Sequence, residues 1–358
     1  MPWQRIPKKD THLFNYTLKT TKAVFNQYPY YVSSEYNSFL SKAVFIKYVE
    51  DKQELAYAAL IEIGFYPFKV GVIDGGPILL NEDGNVKKML ESLKDFAHER
   101  NYMHLQIRPG IDSSFNDLLK TDNAFETKIY FPFHLKVEFD SNIYNKPEKE
   151  LLAGFKMQCR RKIVLAGRLP YKFTKIKNDA ELTEVRKIFK DVIDTKGYNY
   201  LPFKIYEAIY KEGKKYDLCD FYVAYLNDEL VNAVMIVKDA QSFYHYTSAL
   251  VVKGFKPSES PPAKLHYFVM EDCFYNEQKE YYNISFGGSD NLVRFKELFN
   301  PVEVEKPPYY TFVIKKNTLK FLSKFSREQA ASLRSTFKIF DNMFKVFFCC
   351  VGLITVCA

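Results

Sequence analysis

The sequence predicts an α+β protein with mixed α/β elements, arranged as two domains in tandem. Its 358 residues exceed the size of one ordinary domain, and 47% of them are hydrophobic, enough to build two sizeable cores. Helix and strand patterns recur in a similar order in the two halves of the chain. Duplication of one mixed unit is the simplest explanation, although no repeat is visible residue by residue.

The second half shows the clearest element order. It begins with a strand and two helices, and these helices end at Gly197 and Gly213. Three strands follow, joined by the short polar turns that are typical of hairpins. A helix, a short strand, a further helix and a last strand complete this half. In order, the ranges are 171–177, 181–196, 203–212, 219–226, 230–238, 242–251, a helix ending near 276, 282–286, 290–299 and 309–314.

The first half repeats the latter part of this order. Its predicted elements are strands at 43–49, 56–63 and 71–80, a helix at 86–100, a strand at 103–107, a helix near 113–120 and a strand at 134–139. The domains are therefore expected at 1–144 and 171–316. Between them, 145–170 predicts a linker helix that Asn145 caps. Its apolar stripe consists of Leu151, Phe155, Cys159, Ile163 and Ala166.

Positive charge is concentrated after the second domain. Of the net charge of +8, Lys315 and the residues after it carry +6. Apolar side chains recur there at helical spacing opposite lysines and arginines, so 317–358 predicts a basic amphipathic helix. Its last twelve residues are apolar but too few to span a bilayer. Three uses remain open: a peripheral anchor on a membrane surface, a helix docked on the protein, and a site for tRNA phosphates.

Four short motifs carry a family resemblance. They are FNQYP at 25–29, GGPIL at 75–79, LLAGFKMQCRRKIVLAGR at 151–168, and YNISFGG at 282–288 followed by FKELF at 295–299. In this order they resemble the FemABX family, over roughly residues 25–314. The resemblance implies two tandem GNAT-like domains with mixed, mostly antiparallel sheets. It also implies transfer of an amino acid from aminoacyl-tRNA to the peptide stem of a cell-wall precursor.

Some features depart from the family pattern. Asn283 stands where Asp is customary, Asn300 stands where Gly is frequent, and the coiled-coil arm of many members is missing. No R/Q-x-x-G-x-G/A run follows the strand at 242–251, where GNAT proteins that use CoA hold its pyrophosphate. Aminoacyl-tRNA is therefore the more natural donor, with acyl-CoA as the alternative. No tightly bound cofactor is expected.

The resemblance implies that Phe295 and Lys296 belong to the catalytic site. Acyl transfer to an amine passes through a tetrahedral oxyanion, which a fixed ammonium stabilises. Lys296 is therefore expected to stabilise that oxyanion or the leaving ribose, and Phe295 to shape the pocket. Gly287 and Gly288 carry no side chain, which lets a ligand approach the backbone closely. Helical periodicity alone favours the alternative that Lys296 is a surface lysine.

Two further groups are candidates for substrate binding. They are Arg160, Arg161 and Arg168 on the linker helix, and Tyr244, Tyr246 and Ser248 on the strand at 242–251. Guanidinium groups bind phosphates, which donor and acceptor of the family both carry; a solvated charged face is the alternative. Alternation along the strand predicts that the three hydroxyl side chains face one side. There they either line an acceptor groove or pack against the core.

Three functions follow from these observations. The first is transfer of an aminoacyl or acyl group to an amine of a lipid-linked or nucleotide-linked cell-wall or surface-glycan precursor. The second is CoA-dependent acyl transfer in surface-polysaccharide synthesis, and the third is a non-catalytic GNAT-like binding module. The N-terminal residues lack an apolar signal segment, so we expect a cytoplasmic protein, peripheral at the inner membrane face. Metal-binding motifs such as H-E-x-x-H are missing, and we expect no metal. The oligomeric state is left open.

Overall fold

The computed structural model describes eleven segments of the chain: 2–36, 41–64, 69–81, 84–110, 113–127, 141–147, 150–196, 201–251, 261–285, 290–304 and 307–315. The strands are β1 (Trp3–Arg5), β2 (Ser41–Glu50), β3 (Gln53–Ile63), β4 (Val70–Asp74), β5 (Ile78–Leu79), β6 (His104–Arg108), β7 (Phe125–Glu126), β8 (Ser141–Asn145), β9 (Tyr171–Lys175), β10 (Cys219–Leu226), β11 (Glu229–Lys238), β12 (Ser242–Leu250), β13 (Tyr281–Asn283), β14 (Val302–Val304) and β15 (Tyr310–Val313).

The helices alternate with these strands. They are α1 (Phe14–Thr17), α2 (Pro29–Tyr36), α3 (Val86–Glu99), α4 (Phe115–Thr121), α5 (Met157–Ala166), α6 (Asp179–Lys196), α7 (Phe203–Lys214), α8 (Pro262–Glu271) and α9 (Asp290–Glu297). A π-helical turn, Asp272–Asn276, extends α8 to the point that the sequence predicts. The helix and strand order therefore confirms the predicted α+β class.

The first compact unit is built on a mixed, mostly antiparallel sheet. Its order is β1-β2-β3-β4-β6-β15-β7, and β5 pairs with β3. β4 and β6 are parallel, and the chain between them contains α3. The Asn85 side chain caps α3 by accepting from the Lys88 N–H at 3.1 Å. Leu90, Leu93 and Phe96 are buried at the helical spacing that the sequence predicts.

Two strands pair with a different sheet from the one that the sequence suggests. β15, predicted as the last strand of the second domain, pairs with β6 and β7 of the first sheet; Phe312 stands opposite Leu105 and Phe125. β8 lies at the end of the first predicted domain, yet it pairs with β13 and β14 of the other sheet. Apolar alternation predicts that a segment is a strand, but not which neighbour it takes.

The second compact unit is built on a sheet of order β14-β8-β13-β12-β11-β10-β9. α6 and α7 cover one face, where Phe189 and Phe203 each lie 6.4 Å from Phe221 between ring centroids. α5 and α8 cover the other face, where Leu265 of α8 packs in one buried cluster with Ile236 of β11. The sheet is therefore a middle layer between two pairs of helices.

β12 and β13 are parallel neighbours whose pairing is short. Their ladder ends at Tyr244 opposite Asn283, whereas β12 continues to Leu250. Ser285 follows just beyond the carboxyl end of β13. In α/β sheets, the carboxyl ends of strands are where ligands usually bind. A ligand site is therefore expected at this end of β13.

The linker helix begins later than predicted. β8 occupies its expected start, a 3-10 turn follows at Leu151–Gly154, and α5 begins at Met157. Phe155 is extended between turn and helix, and its ring packs 5.2 Å from that of Phe299. The apolar stripe itself is confirmed, since all five of its members are buried: Leu151, Phe155, Cys159, Ile163 and Ala166.

Some predicted features lie outside the described residues. They are the strand at 134–139, the glycine pair Gly287 and Gly288, and the tail helix at 317–358. In the part of the chain that the structure describes, we find no helix of the length and apolarity that a bilayer span requires.

Candidate active site

Lys296 is a buried lysine near the end of α9. Its exposed fraction is 3%, and its Nζ atom donates to the Ser285 hydroxyl at 3.1 Å. The alternative of a surface lysine is therefore wrong. Helical periodicity suggested that alternative because α9 is short and mostly polar, whereas the contact that buries Lys296 comes from the segment after β13. Its catalytic role stays a prediction.

Burial changes the ionisation of Lys296. Removal from water disfavours the ammonium and lowers the pKa of Lys296 from 10.5 to about 8. At pH 7 roughly nine-tenths of the side chain is still protonated, but the fraction falls steeply above pH 8. An ammonium that is desolvated and held by a hydroxyl interacts strongly with a charge that forms beside it.

Two buried histidines lie beside this lysine. His245 of β12 and His266 of α8 have ring centroids 4.9 Å apart, with the rings nearly perpendicular. The Nδ1 atom of His266 is 2.6 Å from the Tyr282 hydroxyl. Burial, followed by the charge of Lys296, lowers the pKa of His245 to about 3. Burial, then His245 and Lys296, hold the pKa of His266 well below its usual value, so both imidazoles are neutral at pH 7.

Aromatic rings enclose these polar groups. The His266 ring lies 5.7 Å from Phe295 and 5.6 Å from Phe299 between centroids. Phe295, which is predicted to shape the pocket, therefore packs against a histidine that was not among the predicted site residues. Such an apolar wall excludes water and keeps the local dielectric low.

Asn283 shapes the turn that carries Ser285. Its side-chain oxygen accepts the Ser285 backbone N–H at 2.8 Å, while Ser285 has a left-handed φ of 59°. An amide oxygen accepts this bond as an Asp carboxylate does, but without a negative charge. Asn283 in place of the customary Asp thus preserves the turn without adding a negative charge.

The three hydroxyl side chains of β12 do not share one face as predicted. A β-bulge at Tyr246 breaks the alternation, because His245 stands opposite Ile236 while Thr247 stands opposite Met235. Tyr246 packs against Tyr206 of α7 at 6.0 Å between ring centroids. The α6 and α7 side of the sheet is therefore the side that Tyr246 faces.

The bulge also places the other two residues on opposite sides. Ser248 stands opposite Val234, which shares a face with Ile236 and hence with His245. Tyr244 stands opposite Val237 and faces the other way. His245, which the sequence pattern did not single out, is close enough to Lys296 that, besides burial, the ammonium charge lowers its pKa. The available signal in the sequence was a histidine between two tyrosines within a predicted strand.

The three linker-helix arginines lie along one groove on α5. Its lining residues are Met157, Arg160, Arg161, Val164, Leu165 and Arg168, all on one side of the helix. Arg160 donates to the Ala153 carbonyl at 3.2 Å, while Arg161 and Arg168 are exposed. Among the described residues, neither exposed arginine has a carboxylate within ion-pair distance. α5 packs on α8, so this groove and the histidine-bearing helix belong to one layer.

A separate acidic cluster is neutralised by a lysine. The carboxylate oxygens of Asp217, Asp220 and Glu277 lie within 4.8 Å of one another. The buried Lys238 ammonium lies among them, 2.8 Å from Asp220 and 2.5 Å from Glu277. An ammonium thus takes the position that a cation would need, and the cluster is an internal ion-pair network.

The two units are each built on a mixed, mostly antiparallel sheet, which makes the chain a tandem α+β protein. Neither a protein-family model nor a curated protein matches the sequence. Among solved structures, the crystal structure of FemX is similar, with a TM-score of 0.71, 14% identity, and coverage of 90% of this chain and 99% of that chain. L-PGS from Bacillus licheniformis gives a TM-score of 0.53 at 13% identity, covering 90% of this chain and 97% of that chain. A protein of unknown function from Bacteroides thetaiotaomicron VPI-5482 gives 0.56 at 13% identity, covering 88% and 100%.

At these identities the likeness establishes the fold. This chain has the fold of FemX over nearly the whole length of both proteins. The resemblance to the FemABX family that the four motifs indicate is thereby confirmed at the level of the fold.

Proposed function

We propose that this protein is an acyltransferase that moves an aminoacyl or acyl group to an amine of a cell-wall or surface-glycan precursor. One observation carries the proposal: a buried lysine, Lys296, reaches Ser285 at the carboxyl end of β13. Buried ammonium groups cost stability, and such groups with lowered pKa concentrate at functional sites. The resemblance of the motifs to the FemABX family implies the chemistry that we expect at this position.

The proposed reaction is direct attack of the acceptor amine on the donor carbonyl. As the C–N bond forms, negative charge develops on the carbonyl oxygen. The Lys296 ammonium stabilises that charge, and its bond to Ser285 holds it in place before the reaction. The intermediate collapses with loss of the ribose hydroxyl of tRNA or the thiol of CoA. Phe295 closes the site beside the carbonyl, and no acyl-enzyme forms.

The arginine groove of α5 supports phosphorylated substrates. Arg161 and Arg168 present exposed guanidinium groups, which bind phosphate oxygens in pairs. Aminoacyl-tRNA and acyl-CoA both carry phosphates, and so do lipid-linked and nucleotide-linked acceptors. The donor is therefore a substrate and not a tightly bound cofactor. Tyr244, Tyr246 and Ser248 remain proposed contacts of the acceptor. Because Ser248 lies on the opposite face of the sheet from Tyr244 and Tyr246, one acceptor molecule does not contact all three.

The proposed location is cytoplasmic, with contact to the inner membrane face through the tail at 317–358. The excess of positive charge in that segment supports attraction to anionic lipid. Liposome flotation of the full chain and of a chain ending at residue 316 tests this contact. Equal partitioning of the two proteins would discard it.

The catalytic test compares Lys296→Met with wild type in single-turnover acyl transfer. We expect the rate constant to fall by roughly 10²–10³, since one oxyanion donor is lost. Lys187→Met, which removes an exposed lysine of α6, is the matched control and should leave the rate unchanged. An unchanged rate in Lys296→Met would contradict the proposal.

The donor is identified by incubating the protein with a charged-tRNA pool, an acyl-CoA panel and a membrane extract. Mass spectrometry then detects the product that gains an acyl group. Gain of an amino acid from tRNA supports aminoacyl transfer, and gain from the thioester panel supports the CoA-dependent alternative. Binding of neither donor, measured by nuclease protection and calorimetry, would support a non-catalytic module instead.

A further inference from the structure

We propose that His245 is the proton acceptor of this acyl transfer, receiving at its Nε2 atom the proton that the attacking amine loses. The inference rests on the proposed function, since it assigns a second catalytic residue to the same site. Lys296 stabilises the oxygen of the reacting carbonyl, and His245 serves the nitrogen that attacks it. Together, Lys296 stabilises the oxyanion and His245 accepts the proton that the attacking amine loses.

The first support is the hydrogen-bonding state of the imidazole. His245 is 8% exposed, and its Nδ1 atom faces the Ile284 carbonyl oxygen at 3.4 Å. A carbonyl only accepts, so this contact favours hydrogen on Nδ1 and a lone pair on Nε2. Among the described residues, the buried Nε2 atom has no hydrogen-bond partner. Buried polar atoms are normally paired, so this lone pair points to a partner that arrives with substrate.

The second support is the place of His245 in the sheet. It is the first residue of β12 after the ladder with β13 ends, and it faces the layer that contains α8. Its contact with Ile284 brings it to the same short segment that carries Ser285, the partner of Lys296. Amine and carbonyl must meet within about 3 Å, so base and oxyanion donor need this proximity.

The basicity of His245 depends on the charges around it, and these charges change during the reaction. The groups that face it are Lys296, His266 and, through His266, the Tyr282 hydroxyl. Before reaction, burial and the Lys296 charge keep the imidazole neutral and its lone pair available. When the oxyanion forms, it compensates Lys296, and the imidazolium then costs less. Proton transfer is thus favoured after attack begins.

The step balances in atoms and charge. The amine lone pair forms the C–N bond, the carbonyl π pair moves to oxygen, and the N–H proton passes to His245 Nε2. Collapse re-forms the carbonyl and breaks the bond to the leaving oxygen or sulfur. His245 returns the proton to that leaving atom, which departs as a hydroxyl or thiol, and the imidazole is neutral again.

His266 positions the acceptor. Its ring packs edge-on against His245, and its own Nδ1 is held by Tyr282 at 2.6 Å. It is therefore a positioning residue and not a second base. This arrangement leaves the His245 ring little freedom to rotate.

The test uses the full chain with His245→Ala and His245→Gln. We expect kcat to fall by roughly 10²–10⁴ with donor Kd unchanged, as for loss of a general base. Imidazole added to His245→Ala should restore turnover, and substituted imidazoles of similar size should restore more as their basicity rises. His104→Gln, which alters a fully buried histidine of the other unit, is the matched control. It should keep wild-type kcat and show no rescue.

The outcomes separate this inference from the proposed function. If wild type transfers the acyl group and the kcat of His245→Gln falls less than tenfold, the role of His245 is overturned while the proposed function stands. A large fall without base-dependent rescue in His245→Ala would also overturn it, because a structural role predicts that pattern. If wild type transfers no acyl group, the proposed function fails first. If His245→Ala does not fold, His245→Gln decides by its kcat with unchanged donor Kd.

Discussion

Replacing Lys296 with methionine should stabilise the protein while it removes activity. Lys296 is 3% exposed, and burial lowers its pKa from 10.5 to about 8. That difference corresponds to about 3 kcal/mol by which the folded state disfavours the ammonium. Methionine has a similar length and no charge. Loss of the bond to Ser285 offsets about 1 kcal/mol, so we expect a net gain near 2 kcal/mol at pH 7.

The gain should depend on pH with a definite sign. Between pH 8 and 10.5 the unfolded state keeps the lysine proton that the folded state has released, so wild-type stability rises with pH in this window. The methionine variant has no such rise. Its advantage is therefore largest below pH 8 and shrinks by about 2 kcal/mol between pH 8 and 9.5.

Urea unfolding at pH 7 and pH 9.5 measures this effect, with Lys187→Met as the exposed control. A gain near 2 kcal/mol raises Tm by several degrees for a unit of this size. The control should match wild type at both values. The reasoning that burial lowers the pKa of Lys296 is refuted if Lys296→Met is less stable than wild type at pH 7. It is also refuted if the difference in unfolding free energy between the two proteins is the same at both pH values.

Four other outcomes are expected. The rate constant for transfer should be level below pH 8 and fall about tenfold per pH unit above it, because the active Lys296 is protonated; a pH–rate profile checks this. Asn283→Asp should move that fall upward by about 1 pH unit, since a carboxylate favours the ammonium. Arg161→Glu with Arg168→Glu should raise KM for the phosphorylated substrate about tenfold or more with kcat and Tm nearly unchanged. Lys238→Met should lower the unfolding free energy by about 3 kcal/mol in urea, because it leaves buried carboxylates uncompensated.

The sequence predicted elements better than their partners. Alternation and helical spacing located β15 and the buried stripe between residues 151 and 166, since both depend on local pattern. The sheet that β15 joins depends on contacts with β6, more than 190 residues away in sequence. Nothing within the strand itself encodes that choice.

The candidate site also contains some residues that the sequence predicted and others that it did not. Lys296 was found by motif resemblance, whereas periodicity pointed to a surface lysine. His245 was missed because the sequence prediction considered the face of β12 that carries Tyr244 and Tyr246, whereas His245 lies on the opposite face. The extra residue at the Tyr246 bulge changes only the face of Ser248. A bulge follows from cross-strand register, and β12 alone carries no mark of it. Asn283 differs from the Asp that is customary in the FemABX family, yet its side-chain oxygen accepts a hydrogen bond from the Ser285 backbone N–H.

Among the residues of the second unit that the structure describes, two lysines are buried, and their charges are compensated differently. Burial alone would lower the pKa of Lys238, but Asp220 and Glu277 raise it above the ordinary lysine value. Its charge is thus compensated by the fold, and nothing remains for a ligand to complete. For Lys296 burial prevails, and the pKa falls. Burial of the Lys296 ammonium costs stability in the resting state, and in the proposed reaction an anion that forms beside it offsets this cost.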